Sequence, residues 1–578
     1  MASAAAEQPA PSGTSAEQTD ASEPSEAGRC SDPPLATVHR ADAALRLDPS
    51  AGRADCAVDL QVQRPDGSSG LASLHADHAS LHLASLAILT SNGQPSPLDH
   101  NHHWWWRTSF LPPDQKICSS SSSSRDLAKA CRDETERRIS CLESGELVVL
   151  LPSEVTTLRV VYSAIPAAAS GGGASAGIMH TVPAPCGLSA WMPCNGEPRS
   201  RSTYRIVLDV PHGCTAIASG WKEESEDDAH LHVDDMNVNV SDAGTSAHVR
   251  KPKSPSSCTS CNEHMHGRSG TSGSAMKLQE LERECECCSH RVRCAFRVDS
   301  PCPSEQIVIA AGHFHCAPDD AVDCTFHLAP LGYERALRLA SQTIELPLLV
   351  ITETVHMQRS SLIGNRYTQV FLPVESGYGI RHAGQNVSFI GCEALSEPQQ
   401  SETAMELRLL CARMLPKQVY GIALMPATPG DTWMLEGISK LFERKVMMKI
   451  FGENEALYRR HQEALALKDA DDGSLPALGT NRSEAPAGWW RCNWEGCGPE
   501  TEDLMLCKSE IVMSILERKA GPDAMSRILR RLARLGAKRA TIHTEYLLEQ
   551  LAGKHGGIEE GDVRSFAERY IFGSGCPT

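Results

Sequence analysis

Arg413, Met414 and Lys417 stand at positions i, i+1 and i+4 of one segment, and Glu436 follows Lys417 after eighteen intervening residues, Gln418 to Leu435. With His, Glu and His at the first three positions, this spacing would build a catalytic zinc centre. Two imidazoles would share one helix face, a carboxylate would be the third ligand, and the Glu beside the first His would take a proton from the zinc-bound water. The side chains present cannot do this. Arg413 keeps its proton, Lys417 rarely loses its own, and Met414 has no basic oxygen. Glu436 alone is ligand-competent, and one carboxylate does not hold a catalytic ion. None of the 23 His is followed by Glu, so the motif does not recur elsewhere. If the fold unites Arg413, Lys417 and Glu436, an ion pair would take the metal's place as a structural tie. Pro416 works against that geometry, because a Pro inside a helix loses a hydrogen bond and crowds the carbonyl four residues back, at Ala412.

Three further groups have chemical potential. Cys258, Cys261, His264, His266, Cys285, Cys287, Cys288, His290 and Cys294 form a Cys/His-dense stretch. A C-x-x-C can supply half of a structural zinc site, but C-x-C-C is not a usual second half, and a Cys-rich polar loop is the expectation. Asp99 to Trp106 brings three His beside three Trp, expected as a loop that docks its Trp side chains on a sheet. Arg527, Arg530, Arg531, Arg534, Lys538 and Arg539 lie opposite an apolar stripe, and Arg444, Lys445 and Lys449 form a smaller basic group. The first set is the candidate contact for DNA or an acidic partner, with a solvated helix face as the alternative.

The elements that must position these residues divide the chain. Residues 1–33 are rich in Ala, Ser, Glu and Pro and read as a disordered tail, with neither a signal peptide nor a folded core. From about 34 to 330 the pattern is β: residues 58–63, 146–151, 158–162, 204–210 and 306–310 carry strand signals. Polar or Ala/Gly/Ser-rich insertions interrupt it at about 115–140, 167–178 and 222–290. From 331 to 567 the pattern is helical, with a short tail at 568–578. Apolar stripes run through Leu435, Ile438, Leu441 and Phe442, through Leu504, Cys507, Ile511 and Ile515 with Val512 and Leu516 beside them, and through Met525, Ile528, Leu529, Leu532 and Leu535. Gly452 and Gly536 read as helix stops. The net charge of −17 excludes a surface that is basic all over. No stretch reaches the roughly eighteen apolar residues of a membrane span. The scattered, odd number of Cys fits a reducing compartment.

Several motifs then fall into one order. Asp431-Thr432-Trp433-Met434-Leu435-Glu436-Gly437 resembles the D-x-W-x-x-E-G segment of thermolysin-like zinc aminopeptidases. Pro193-Cys194-Asn195-Gly196-Glu197-Pro198 is similar to their P-C-x-D-E-P segment, and Ile309 to Phe314 to a later strand. The blocks Trp433 to Phe451 and Leu506 to Leu516 most resemble the metal-free branch of this family, TBP-associated subunits of the general transcription factor TFIID. In that family a β-sandwich and helical repeats follow the region corresponding to Thr578. The resemblance implies an α+β multidomain protein, an N-terminal β-sandwich or saddle domain followed by a mostly helical thermolysin-like pseudo-catalytic domain. It implies a nuclear scaffold that binds other TFIID subunits and TBP and helps position the complex on promoter DNA, directly or through partners. No cofactor, catalytic residue or metal ligand is expected. The substrate-anchoring G-A-M-E-N strand is absent around Glu375, and Leu506 stands where the family has its transition-state Tyr, two residues before Lys508. A zinc metalloaminopeptidase with an aberrant site, or a peptide-binding pseudopeptidase outside transcription, are the alternatives.

Overall fold

The computed structural model describes residues 37–63, 71–76, 80–89, 94–98, 104–107, 146–150, 157–165, 177–181, 187–195, 201–223, 291–364, 366–373, 381–395, 401–470, 477–479, 499–553 and 556–574. The expected N-terminal tail, the cores of all three insertions, the Cys/His stretch up to His290, residues 99–103 and Glu375 lie outside them.

Alternating apolar and polar residues in the first half build an eight-stranded sheet. Its order is Trp221–Lys222, Arg291–Cys302, Ser202–Pro211, Thr37–Asp48, Arg53–Gln63, Thr157–Ala164, Leu81–Leu89 and Pro95–Pro97. Every pairing is antiparallel except the third, Thr37–Asp48 with Ser202–Pro211. Strand Thr157–Ala164 buries every second residue, as a half-buried strand must. Two three-stranded sheets add side chains to the same apolar core: Leu71–His75, Glu146–Leu150 and Trp104–Arg107 in one, Thr215–Ala218, Ile309–Gly312 and Met179–His180 in the other. Asn195 pins the segment after Trp191 by pairing both amide atoms with the Val38 backbone, at 3.1 and 2.8 Å.

Two expectations change here. Trp104 to Trp106 belong to a strand rather than a loop, and Trp104 and Trp106 pack partly buried against the core as the ladder sends alternate side chains one way. Cys294 is not part of a polar loop; it is buried in the core on strand Arg291–Cys302.

A five-stranded mixed sheet opens the second half, in the order Phe314–Pro318, Thr325–Pro330, Tyr367–Leu372, Val387–Gly391 and Arg381–Gly384. It straddles the boundary expected near 330, because Thr325–Pro330 pairs in parallel with Tyr367–Leu372. One face packs Leu328, Val370, Leu372 and Phe389 on Ile217, Val308 and Ala310 of the first half. The other packs Ala329, Phe371 and Ile390 on the helices.

Among the described residues this half has ten α-helices: α1 Glu334–Ala340, α2 Glu345–Val355, α3 Arg359–Ile363, α4 Ser401–Lys417, α5 Thr432–Phe451, α6 Glu453–Ala470, α7 Pro499–Ala520, α8 Pro522–Ala537, α9 Thr544–Ala552 and α10 Glu560–Tyr570. Helix α5 is the axis. It is buried on nearly all sides, packing on α4, α6 and α7. Among the described residues no helix is long and apolar enough to cross a membrane.

Helix α4 runs through Pro416 to Lys417, so Arg413 and Lys417 do share one helix. Pro416 sits in the last turn, so the hydrogen bond that its missing N–H removes lies at the very end of the ladder. The chain beyond it closes with Val419 and Tyr420 both donating to the Pro416 carbonyl, and Ala412, Leu415 and Val419 are core residues that hold the turn. Gly452 ends α5 at φ 87°, as expected. Gly536 does not end α8. It lies inside the helix, where a Cβ would come within 3.1 Å of the Leu424 nitrogen, so its smallness serves close packing. The stripe on α7 is also rotated. Met505, Val512, Met513 and Leu516 are fully buried, whereas Leu504, Cys507 and Ile515 are only partly so.

Gly437 on α5 marks the tightest crossing, since a Cβ there would lie 2.8 Å from Met513 Cγ and 2.9 Å from the Ser509 carbonyl of α7. Gly437→Ala should therefore destabilise the fold by about 1–3 kcal/mol despite its better helix propensity. A lower urea midpoint at unchanged slope would show it.

Candidate functional site

The last turn of α4 and the first turns of α5 bring Lys417 and Glu436 together. Lys417 Nζ donates to Glu436 Oε1 at 2.7 Å, with both side chains largely buried. Glu436 Oε2 is buried and has no hydrogen-bond partner among the described residues. Arg413, one turn back on α4, does not join them. Its Nε lies 3.6 Å from Glu443 Oε2, two turns further along α5. The expected three-residue tie is thus two parallel ties between the same helices. Met414 has no exposed surface and packs between α4 and the five-stranded sheet.

The ties continue inward. Lys440 lies between Glu443, at 4.0 Å, and Glu463 of α6, at 3.2 Å. Arg444 bonds Glu463 and reaches Glu510 of α7 at 3.5 Å, and Arg460 of α6 meets Glu510 at 3.0 Å. Glu510 is fully buried. Burial alone would raise the Glu463 carboxyl, but Lys440 and Arg444 outweigh it and hold Glu463 below its ordinary value. Burial likewise opposes the charge on Lys440 and Arg444, and the surrounding glutamates raise both above the usual range. Sequence reading missed this chain of charges. Its one legible signal was Lys440, Glu443 and Arg444 recurring at helical spacing on a segment otherwise apolar. The basic group Arg444, Lys445 and Lys449 is spent in the same way, with Lys445 on Glu517 at 2.5 Å and Lys449 near Glu353 at 3.7 Å.

The residues at this centre do not fit a catalytic zinc ion. The Lys417 ammonium holds Glu436 Oε1 and puts a positive charge beside the remaining oxygen, where a dication would have to bind. His382, on the edge strand Arg381–Gly384, is the nearby group with a free lone pair. Burial and then the Lys417 charge depress its imidazole to about 4, so it is neutral at pH 7. Leu506 lies half-buried on α7 and brings no phenol.

A second group, Asp431, His543 and Glu545, places its ligand atoms within 4.8 Å of one another. Asp431 is already saturated. One oxygen accepts from the Thr544 N–H and hydroxyl at 2.7 and 2.8 Å, and the other from the Thr428 N–H and hydroxyl at 2.9 and 2.6 Å. These four bonds use the lone-pair sites of a carboxylate and lock the start of α5 to the start of α9.

The expected basic face is partly realised. Arg527, Arg531 and Arg534 are exposed on α8, although Arg531 Nε donates to the Tyr546 hydroxyl at 3.0 Å; Arg530 is half-buried. Lys538 is exposed just beyond the helix end. Arg539 leaves the face, because the chain turns left-handed there (φ 55°). Its guanidinium donates to the Ile422 carbonyl at 3.4 Å, and its own carbonyl accepts from Arg201 of the first half at 3.0 Å.

No family model matches the sequence, and no curated protein sequence is similar to it. Solved structures do match. Yeast LTA4 hydrolase in complex with bestatin is 12% identical with a TM-score of 0.59, over 94% of this chain and 68% of that one. Legionella pneumophila aminopeptidase A in complex with aspartic acid is 11% identical with a TM-score of 0.58, over 94% of this chain and 50% of that one. An M1 zinc metallopeptidase from Deinococcus radiodurans is 15% identical with a TM-score of 0.52, over 94% and 96%. The chain has the fold of these metallopeptidases. The expected α+β architecture, a β-sheet part followed by a helical part, is that of the M1 peptidases.

Two measurements test the charge ties. Lys417→Met and Glu436→Gln should each cost about 1–3 kcal/mol, between the surface and fully buried limits, and the double variant should cost clearly less than their sum; a urea double-mutant cycle reads the coupling. Because Glu463 is depressed in the fold, its contribution is complete above its ordinary value of 4.5 and is lost as pH falls through the lower folded value. The urea midpoint should fall on acidification below that point, and Glu463→Gln should flatten the slope.

Proposed function

We propose that this chain is a non-catalytic scaffold subunit of the general transcription factor TFIID, the counterpart of its second TBP-associated factor. In this reading it works in the nucleus, binds other TFIID subunits and TBP, and contributes to recognition of the core promoter and to assembly of RNA polymerase II initiation complexes. It is not an enzyme. The observation that carries the reading is the ammonium of Lys417, 2.7 Å from Glu436, at the position that the sequence spacing aligns with a zinc ligand of thermolysin-like aminopeptidases. A framework that keeps the D-x-W-x-x-E-G segment while carrying cations in its metal motif is selected for shape and surface, not for hydrolysis. The blocks Trp433 to Phe451 and Leu506 to Leu516 tie that framework to the transcription branch of the family. The face of α8 with Arg527, Arg531, Arg534 and Lys538 is the part proposed to meet promoter DNA or an acidic partner subunit.

Affinity purification of the full chain from nuclear extract should recover TBP and its associated factors in stoichiometric amounts. Their absence would remove the role in transcription and leave a peptide-binding pseudopeptidase. Metal analysis and an aminoacyl-anilide assay should show no zinc at the α4–α5 centre and no turnover. Turnover that Glu436→Gln abolishes would replace this reading with a metalloaminopeptidase.

A further inference from the structure

On the far side of the molecule's chemistry from α4 and α5, two residues from different loops meet at the surface. Cys214 follows the turn that ends strand Ser202–Pro211, where its N–H donates to the Pro211 carbonyl at 3.0 Å. His313 stands between strands Ile309–Gly312 and Phe314–Pro318. The Cys214 Sγ and the His313 Nε2 are 3.7 Å apart. The other ring nitrogen, Nδ1, lies 3.2 Å from the Gly213 carbonyl. A carbonyl only accepts, so this contact puts the ring proton on Nδ1 and leaves the lone pair of Nε2 facing the sulfur. A backbone carbonyl holding one ring nitrogen while the other meets a ligand is the supporting contact of metal-bound His. The carbonyl belongs to Gly213, the residue before the thiol, at φ 89°, so a single glycine turn orients both groups.

We propose that Cys214 and His313 form a zinc-binding pair, with the remaining coordination positions open to solvent. The spacing fits: bonds of about 2.3 Å to sulfur and about 2.05 Å to nitrogen at a tetrahedral angle separate the two donors by about 3.6 Å. The donor set of one thiolate and one imidazole suits zinc over magnesium or calcium, which take oxygen. Access is open, since His313 is exposed and Cys214 half-buried. On binding, the S–H bond of Cys214 breaks, its proton passes to solvent, the thiolate bonds the ion, and the Nε2 lone pair forms the second bond. Because the thiol must lose its proton to bind, metal binding at this pair would release protons. This pair is separate from the α4–α5 centre, and the inference does not depend on the role in transcription.

The test is residue-resolved alkylation of the native full chain, followed by mass spectrometry of the Cys214 peptide with and without micromolar Zn2+. Zinc should slow alkylation of Cys214 at least about tenfold, and His313→Gln should abolish most of that protection while leaving the far-ultraviolet circular dichroism unchanged. Equal alkylation rates with and without zinc would overturn the proposal and leave a thiol-to-imidazole hydrogen bond. Protection that survives His313→Gln would also overturn it, because the ion would then be held by other ligands. A third arm replaces Cys258, Cys261, Cys285, Cys287 and Cys288 together by Ser. Protection that persists there supports the pair as a site in its own right, and its loss would assign the zinc to that stretch instead.

Discussion

A carboxylate buried between helices must meet a cation, and the helical half of this protein depends on that constraint. Glu510 has no exposed surface, yet it sits where α5, α6 and α7 converge. Leaving such a charge unpaired costs several kcal/mol, and removing one partner of a buried pair is among the most damaging changes a core can suffer. Arg444 and Arg460 neutralise it from two helices at once, and Glu463 links Arg444 to Lys440. Each ion pair joins two elements, so the chain of pairs fixes how α4, α5, α6 and α7 sit on one another. Apolar packing drives those helices together; the charges decide the register in which they meet.

The same constraint holds where α4 meets the start of α5. Glu436 keeps its position at the start of α5, but its partner is the Lys417 ammonium. The product of this pair is rigidity between α4 and α5, and the neutral His382 next to it accepts that positive field without adding to it. The junction at Arg201, Ile422 and Arg539 ties the chain just after α8 to the β-sheet part.

Much of this was legible in residue order. The β pattern of residues 58–63, 158–162 and 204–210, the stripes on α5 and α8, and the stop at Gly452 all appear where periodicity and glycine chemistry put them. The exceptions share one cause, which is that a local rule met a non-local partner. Pro416 is tolerated because the core holds the turn it would have broken. The stripe on α7 is rotated because Lys508, Ser509 and Glu510, polar in any hydropathy scale, are buried with it; Ser509 donates to the Met505 carbonyl, and Glu510 is paired by two arginines. Gly536 is small because Leu424 presses on it, and Arg539 turns away from the basic face because its guanidinium and its carbonyl both serve the junction.

Residue types and spacing by themselves determined what the centre cannot do. The Arg413 guanidinium, the Lys417 ammonium and the Met414 thioether are not the imidazole and carboxylate groups of a catalytic zinc motif. They also determined the two-part architecture, because periods of two and of 3.6 residues are properties of the chain alone. Only the tertiary structure decided which cation meets which carboxylate. Arg413 and Lys417 are equivalent in charge and share a helix face, yet one reaches Glu443 and the other Glu436. That choice follows from the crossing of α4 on α5, a distance and an angle set by side chains far apart in the sequence.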